Sequence, residues 1–232
     1  DRISNYILDV LKTATERDLQ SKVGPSNISN ACTYCLAQQM LGGQESTIFT
    51  GQYWLGAKVG TAVHEYVDNH GEKPYVINEQ KNVIGEIPGY GVIKGSTDAF
   101  FPEEGVVGDL KTTTRDKLKM IKRAIEDEPN EYETTKVVEA RAKVVAYQKQ
   151  VFLYGKGWEN LGYTVNGCVI WFVCRDGQGD NDIWTWRFPY SREQADAALD
   201  RSTKIWKYLS EGGDVEALKS SATCWPCSVN GR

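Results

Sequence analysis

The 232-residue chain is 41% hydrophobic with a formal net charge of -4, enough apolar material for a proper core in one large domain or two small ones; a single domain over 1–232 is expected. The acidic balance excludes a global electrostatic attraction to nucleic acid, so phosphate must be held by a local patch or by metal. No apolar run approaches a membrane span and nothing resembles a signal peptide, so a soluble intracellular protein is expected.

In chain order, Ile3, Ile7, Val10, Leu11 and Ala14 recur at helical spacing and predict a helix over residues 2–20. VGPSNISN then supplies a loop and N-cap candidates for a second helix that carries Cys32 and Cys35 and ends at Gly42 and Gly43. A third helix is expected from Tyr53 to Val67, with Trp54, Leu55, Val59, Ala62, Val63 and Tyr66 as its apolar face and Gly71 as its stop. It holds GTAVHEYV, and so His64, a residue type that is either a structural hydrogen-bonding group or a ligand. Segments 75–87 and 91–101 read as strands around Pro88-Gly89, and with 105–112 they are expected to form a meander.

A basic stretch, RDKLKMIKRAIEDE, follows as a helix; it is either a phosphate-binding patch or a solvated amphipathic face. Pro129-Asn130 breaks it, and a long helix is expected from Tyr132 to Trp158. On that helix Gln150 and Tyr154 are four apart and share a face, where they meet either the acidic strand edge or the edge of the core. Strands follow over 164–174 and 182–188, the second alternating aromatic and polar residues as an edge strand does. A helix over 191–210 is capped by Ser191. The first residue is not Met and the closing SVNGR reads as an arbitrary stop, so a trimmed chain is expected.

The stretch KGSTDAFFPEEGVVGDLKTT, residues 94–113, carries the chemistry. Two apolar runs joined by Pro-Glu-Glu-Gly make a hairpin signature. Asp109 and Lys111, two apart on the second strand, point to one face, and the partner strand brings Asp98 alongside. Two carboxylates and an ammonium on an apolar sheet are costly to bury without a compensating cation or substrate. Carboxylate oxygens suit Mg or Mn, and a neighbouring lysine can orient or deprotonate water and stabilise charge on a phosphate. Taken alone, Asp-x-Lys reads as a plain surface ion pair on an exposed strand face, and its context must carry the case.

The remaining signal is the cysteines. Cys32 with Cys35 and Cys224 with Cys227 form two C-x-x-C pairs near opposite ends of the chain. In an intracellular protein such pairs are metal ligands more often than disulfides. Four converging thiolates suit tetrahedral zinc or an iron-sulfur cluster; unrelated thiols or one redox pair are the plainer alternatives. Cys168 and Cys174, in GCVIWFVC, are expected to be core residues.

The order of these motifs over residues 26–227, from the first cysteines through GTAVHEYV, GSTDAFF, VVGDLKTTT and QVFLY to the last cysteines, resembles the RecB-like branch of the PD-(D/E)XK nucleases. It is close to the Cas-four type iron-sulfur exonucleases and phage-encoded relatives. The resemblance implies an α/β fold with a restriction-endonuclease-like central mixed β-sheet flanked by helices. It implies a Cys-ligated cluster on residues 26–42 and 220–230 that clasps the N- and C-terminal segments. The implied activity is a metal-dependent DNA exonuclease acting at single- or double-stranded ends, with a DNA-binding or adaptor module holding structural zinc as the alternative. His64, Asp98, Asp109 and the Leu110 backbone carbonyl are implied to hold one or two Mn or Mg ions, with Lys111 as the catalytic lysine. Gln150 and Tyr154 match the family's Q-x-x-x-Y helix motif, implied to position the scissile phosphate. Cys32, Cys35, Cys224 and Cys227 are implied to hold a 4Fe-4S cluster, with Zn as the alternative. The family's usual arrangement of one cysteine upstream and three downstream is here two and two. Cytoplasmic location in a bacterial or phage-infected cell, and recombination, CRISPR-adaptation or phage replication partners, are likewise implied.

Overall fold

The computed structural model describes residues 23–42, 54–70, 82–224 and 227. The helix expected over 2–20, residues 75–81 of the first expected strand and the closing SVNGR lie outside them.

Within VGPSNISN the chain makes one helical turn, α1 (Pro25–Ile28), with proline at its first position, where the missing N–H costs nothing. Helix α2 (Thr33–Met40) starts immediately after Cys32, and α3 (Trp54–Asn69) follows. The strands and remaining helices are β1 (Asn82–Ile87), β2 (Gly91–Gly95), β3 (Ala99–Phe101), β4 (Val106–Thr113), α4 (Arg115–Glu126), α5 (Thr135–Glu159), β5 (Gly167–Cys174), β6 (Ile183–Pro189) and α6 (Arg192–Ser210). Thr114 and Ser191 cap α4 and α6 by accepting from the Lys117 and Gln194 amides.

The expected meander is divided. Residues 91–101 form two strands: β2 pairs with β1 in a two-stranded sheet, whereas β3 joins a four-stranded mixed sheet of order β3-β4-β5-β6. The break falls at Ser96, Thr97 and Asp98. The Thr97 hydroxyl donates to the backbone carbonyls of Ala99 and Gly108, a local side-chain bond that competes with the ladder. In the main sheet β4 runs antiparallel to β3 and parallel to β5, and β6 closes an edge antiparallel to β5. The parallel step requires a long crossover, which α4 and α5 supply.

The register places Val107, Asp109, Lys111 and Thr113 beside Cys168, Ile170, Phe172 and Cys174, all on the face that α5 covers. Cys168 and Cys174 are buried core residues, and burial raises the Cys168 thiol pKa well above its ordinary value. Phe100, fully buried, stacks on Trp158 of α5 with ring centroids 4.2 Å apart. Gly105 ends the Pro-Glu-Glu-Gly turn at φ +65°, and a Cβ there would lie 2.6 Å from the Thr164 carbonyl.

Helix α3 lies on the opposite sheet face, turned differently from expectation. Val59, Ala62 and Tyr66 point outward, and contact with the sheet runs through Gly56 and Gly60. A Cβ on Gly60 would sit 3.0 Å from Thr112 Oγ1 and one on Gly56 2.3 Å from Arg175. Glycines four apart let the helix backbone approach closely, and this outweighs an apolar stripe. The Trp54 and Leu55 side chains lie outside the described residues.

Phe100→Ala removes a ring that joins β3 to α5 and is expected to cost about 3–5 kcal/mol, read as a lower denaturation midpoint at unchanged m-value in urea. An unchanged midpoint would remove this contact from the core.

Candidate active site

Residues from α3, the bend before β3, β4 and α5 meet around the middle of β4. Asp98 occupies the bend before β3, one position beyond the last paired residue; continuing the Ala99–Gly108 register sets it opposite Asp109. Asp98 Oδ2 accepts the Leu110 amide at 2.7 Å, and Oδ1 lies 3.3 Å from His64 Nδ1 on α3. Burial pushes the Asp98 pKa up, but the His64 hydrogen bond and charge, the Leu110 amide and Lys111 outweigh it and hold the group below its ordinary range.

Asp109 differs. Its side chain is 4% exposed and its Oδ2 lies 2.6 Å from Lys111 Nζ, yet that oxygen has no hydrogen-bond partner of normal geometry. Burial raises its pKa; Lys111 opposes this and Asp98 adds to it. Lys111 donates to Gln150 Oε1 at 3.1 Å, and Gln150 Nε2 donates to the Tyr154 hydroxyl at 2.8 Å. The ammonium also stands 5.2 Å over the Tyr147 ring. Burial, and secondarily Asp109, raise the Tyr147 pKa.

The structure therefore brings His64 to Asp98, and Asp109, Lys111, Gln150 and Tyr154 into one chain of contacts. The two groups adjoin through Leu110, which donates to Asp98 and sits between Asp109 and Lys111. His64, Asp98 and Asp109 do not close as tightly as the cysteines, the one set of three or more His, Cys, Asp or Glu donors among the described residues whose ligand atoms lie mutually within 4.8 Å. As a donor set, an imidazole and two carboxylates, one with a buried oxygen lacking a hydrogen bond, fit Mg or Mn.

A cavity of about 270 Å³ opens beside His64 and Asp98, walled by Trp171, Val173 and Ile183. Trp171 can form this wall because Gly108 has no side chain: a Cβ there would lie 2.4 Å from the indole. Sequence reading places Trp171 in a core strand and misses this role, which depends on pairing to β4; the small Gly108 within VVGDLK is the available signal.

The four cysteines meet away from β4. Cys32 Sγ lies 3.5 Å from Cys227 Sγ, and Cys35 Sγ 3.4 Å from both Cys224 and Cys227 Sγ. All six cysteines are free thiols. Burial pushes the Cys32 thiol up, but backbone hydrogen bonds at Cys35 and Ser221 bring it down to about 7, while burial pushes Cys227 up to about 12. Arg201 of α6 was not anticipated: its guanidinium donates to the carbonyls of Asn30 and Ala31 at 2.7 and 3.0 Å, holding the loop that carries Cys32.

Of the basic helix α4, Arg115 is paired with Asp182 at 2.7 Å, Lys119 with Asp116 at 3.6 Å, and Lys122 stands 5.4 Å over the Trp184 ring; Lys117, Lys119 and Arg123 lie on the exposed face.

No family model and no curated protein matches the chain. Among solved structures it is similar to an alkaline exonuclease (LHK-Exo) from Laribacter hongkongensis, with a TM-score of 0.52 at 13% identity over 87% of this chain and 95% of that one. A phage related exonuclease from Haemophilus somnus 129PT gives a TM-score of 0.45 at 14% identity, over 81% of this chain and 82% of that one. The fold is thus α/β, exonuclease-like, with a central mixed sheet flanked by helices and the cysteines joining N- and C-terminal segments. Among the described residues no helix is long and apolar enough to cross a membrane.

Asp109 carries a sign-definite consequence. A carboxyl whose folded pKa is raised destabilises the fold above its unfolded pKa and not below it, because folding then favours the protonated form. With chelator present, Asp109→Asn is expected to raise the thermal midpoint at pH 7 and to do so less at pH 4. A lower midpoint at pH 7 would show that the Lys111 pair outweighs the burial.

Proposed function

We propose that this chain is one nuclease domain, a Mg- or Mn-dependent DNA exonuclease that hydrolyses phosphodiester bonds. The observation that carries this reading is the meeting of Asp98 and His64 with Asp109, Lys111 and Gln150 around the middle of β4, inside a sheet whose order is β3-β4-β5-β6. The likeness to the alkaline exonuclease supports the fold, and the residues support the chemistry.

His64, Asp98, Asp109 and the Leu110 carbonyl would hold the divalent ion, which when bound supplies Lewis acidity and an activated water. Lys111 stands to orient that water and to stabilise charge developing on the phosphate. Gln150, itself held by Tyr154, fixes the ammonium through one hydrogen bond, so that Lys111 need not reorganise as charge develops. Asp109 holds the same ammonium from the other side. The aromatic and apolar wall of Trp171, Val173 and Ile183 suits the face of a base beside the reacting phosphate. An acidic protein can hold a polyanion here because the ion and Lys111 offset the carboxylates where the phosphate sits.

With Mn, linear DNA is expected to be degraded while covalently closed circles survive. Lys111→Ala is expected to slow cleavage about 10²–10⁴-fold, and Gln150→Ala about 10–100-fold, as for residues that orient a catalytic group. Gel assays on end-labelled single- and double-stranded DNA read both. Cleavage that survives Lys111→Ala and Asp109→Ala would refute this site; DNA binding without cleavage would favour a binding module.

A further inference from the structure

The cysteine clasp has a geometry of its own. Each thiol lies 3.4–3.5 Å from at least one other, and all four sulfurs lie within 4.8 Å of one another. Four thiolates around one ion at Zn–S bonds of about 2.3 Å are separated by roughly 3.8 Å along each edge of the tetrahedron. A 4Fe-4S cluster binds each thiolate at a different iron on the corners of a cube, which sets the sulfurs roughly 6 Å apart. The three contacts of 3.4–3.5 Å need to lengthen by only a few tenths of an ångström to accept a single ion. For the cluster every pair must open by about an ångström or more, since none exceeds 4.8 Å.

The surroundings resist that retreat. Cys32, Cys224 and Cys227 are 0%, 7% and 3% exposed, so outward movement meets packed atoms. The Cys32 amide donates to Asn30 Oδ1 at 2.9 Å, and Arg201 grips the two consecutive carbonyls of that turn, Asn30 and Ala31. Across the clasp, the Tyr34 amide donates to the Lys219 carbonyl at 3.2 Å, tying α2 directly to the C-terminal segment. The two-and-two division of the ligands adds to this: each C-x-x-C turn presents two sulfurs to one point.

We propose that Cys32, Cys35, Cys224 and Cys227 form a structural zinc site and that the iron-sulfur cluster implied by the family resemblance does not fit here. The ion links α2 to the segment after α6 and takes no part in cleavage, because its ligands share no contact with Asp98, Asp109 or Lys111.

The test grows the full chain with iron and zinc both supplied, purifies it without oxygen, and measures metals, acid-labile sulfide and the visible spectrum. About one zinc per chain in a colourless protein is the expected result. Iron with acid-labile sulfide and broad visible absorption overturns the proposal, and so does a chain free of both metals. Replacement by cobalt is expected to give the visible bands of a tetrahedral thiolate site. Cys224→Ser is expected to lose the zinc and lower the thermal midpoint, whereas Asp109→Ala retains it. That last variant separates the two proposals: an inactive protein with full zinc content leaves the clasp standing whatever the outcome for the nuclease.

Discussion

The structure around β4 is arranged to bury one carboxyl group. Asp109 is 4% exposed, with Val107 before it on the same face and Ile170 of β5 beside it, a position where an unpaired charge costs several kcal/mol. Lys111 meets that cost in part because a strand returns every second side chain to the same face. The ammonium in turn needs partners on its far side, and Gln150 and the Tyr147 ring supply them. Each polar group on this face is thus held by the next, from Asp109 through Lys111 and Gln150 to the Tyr154 hydroxyl.

That chain of partners depends on topology. Strands β4 and β5 are parallel, so the polypeptide must cross from one end of the sheet to the other between them. The returning helix, α5, lies over the face that carries Asp109 and Lys111. Its residues 147, 150 and 154 fall at intervals of three and four, which keep a ring, an amide and a hydroxyl on one side of the helix. An antiparallel hairpin in place of the crossover would leave Lys111 facing solvent. The other carboxylate is served from the opposite layer, where α3 approaches through Gly56 and Gly60 and sets His64 against Asp98.

How far these features were legible in the sequence follows from their range. Period-two alternation in VVGDLK, the four-residue step from Gln150 to Tyr154 and the paired cysteines are local patterns, and each projects as its spacing dictates. The division of the meander was not legible, because one hydroxyl, Thr97, diverts the backbone between Gly95 and Ala99 by bonding across to Gly108. The facing of α3 was misjudged for a related reason: its apolar residues outnumber its glycines, but close approach to Thr112 and Arg175 is open only to glycine. Trp171 and Arg201 acquire their roles through contacts with residues 63 and 171 positions away, which no window of sequence contains.

The clasp works on a different scale from the site. Cys32 and Cys227 are 195 residues apart, and a cross-link closing a loop of that length removes on the order of 5 kcal/mol of conformational entropy from the unfolded chain. An ion shared by these thiols therefore stabilises every element between them, including those that carry the cost of Asp109. The buried carboxylate favours unfolding at neutral pH because its pKa is raised, whereas a clasp at the ends of the chain opposes unfolding without touching the site. With an ion held there, loop closure would offset part of the cost that Asp109 carries, and the two arrangements would do so without sharing a residue.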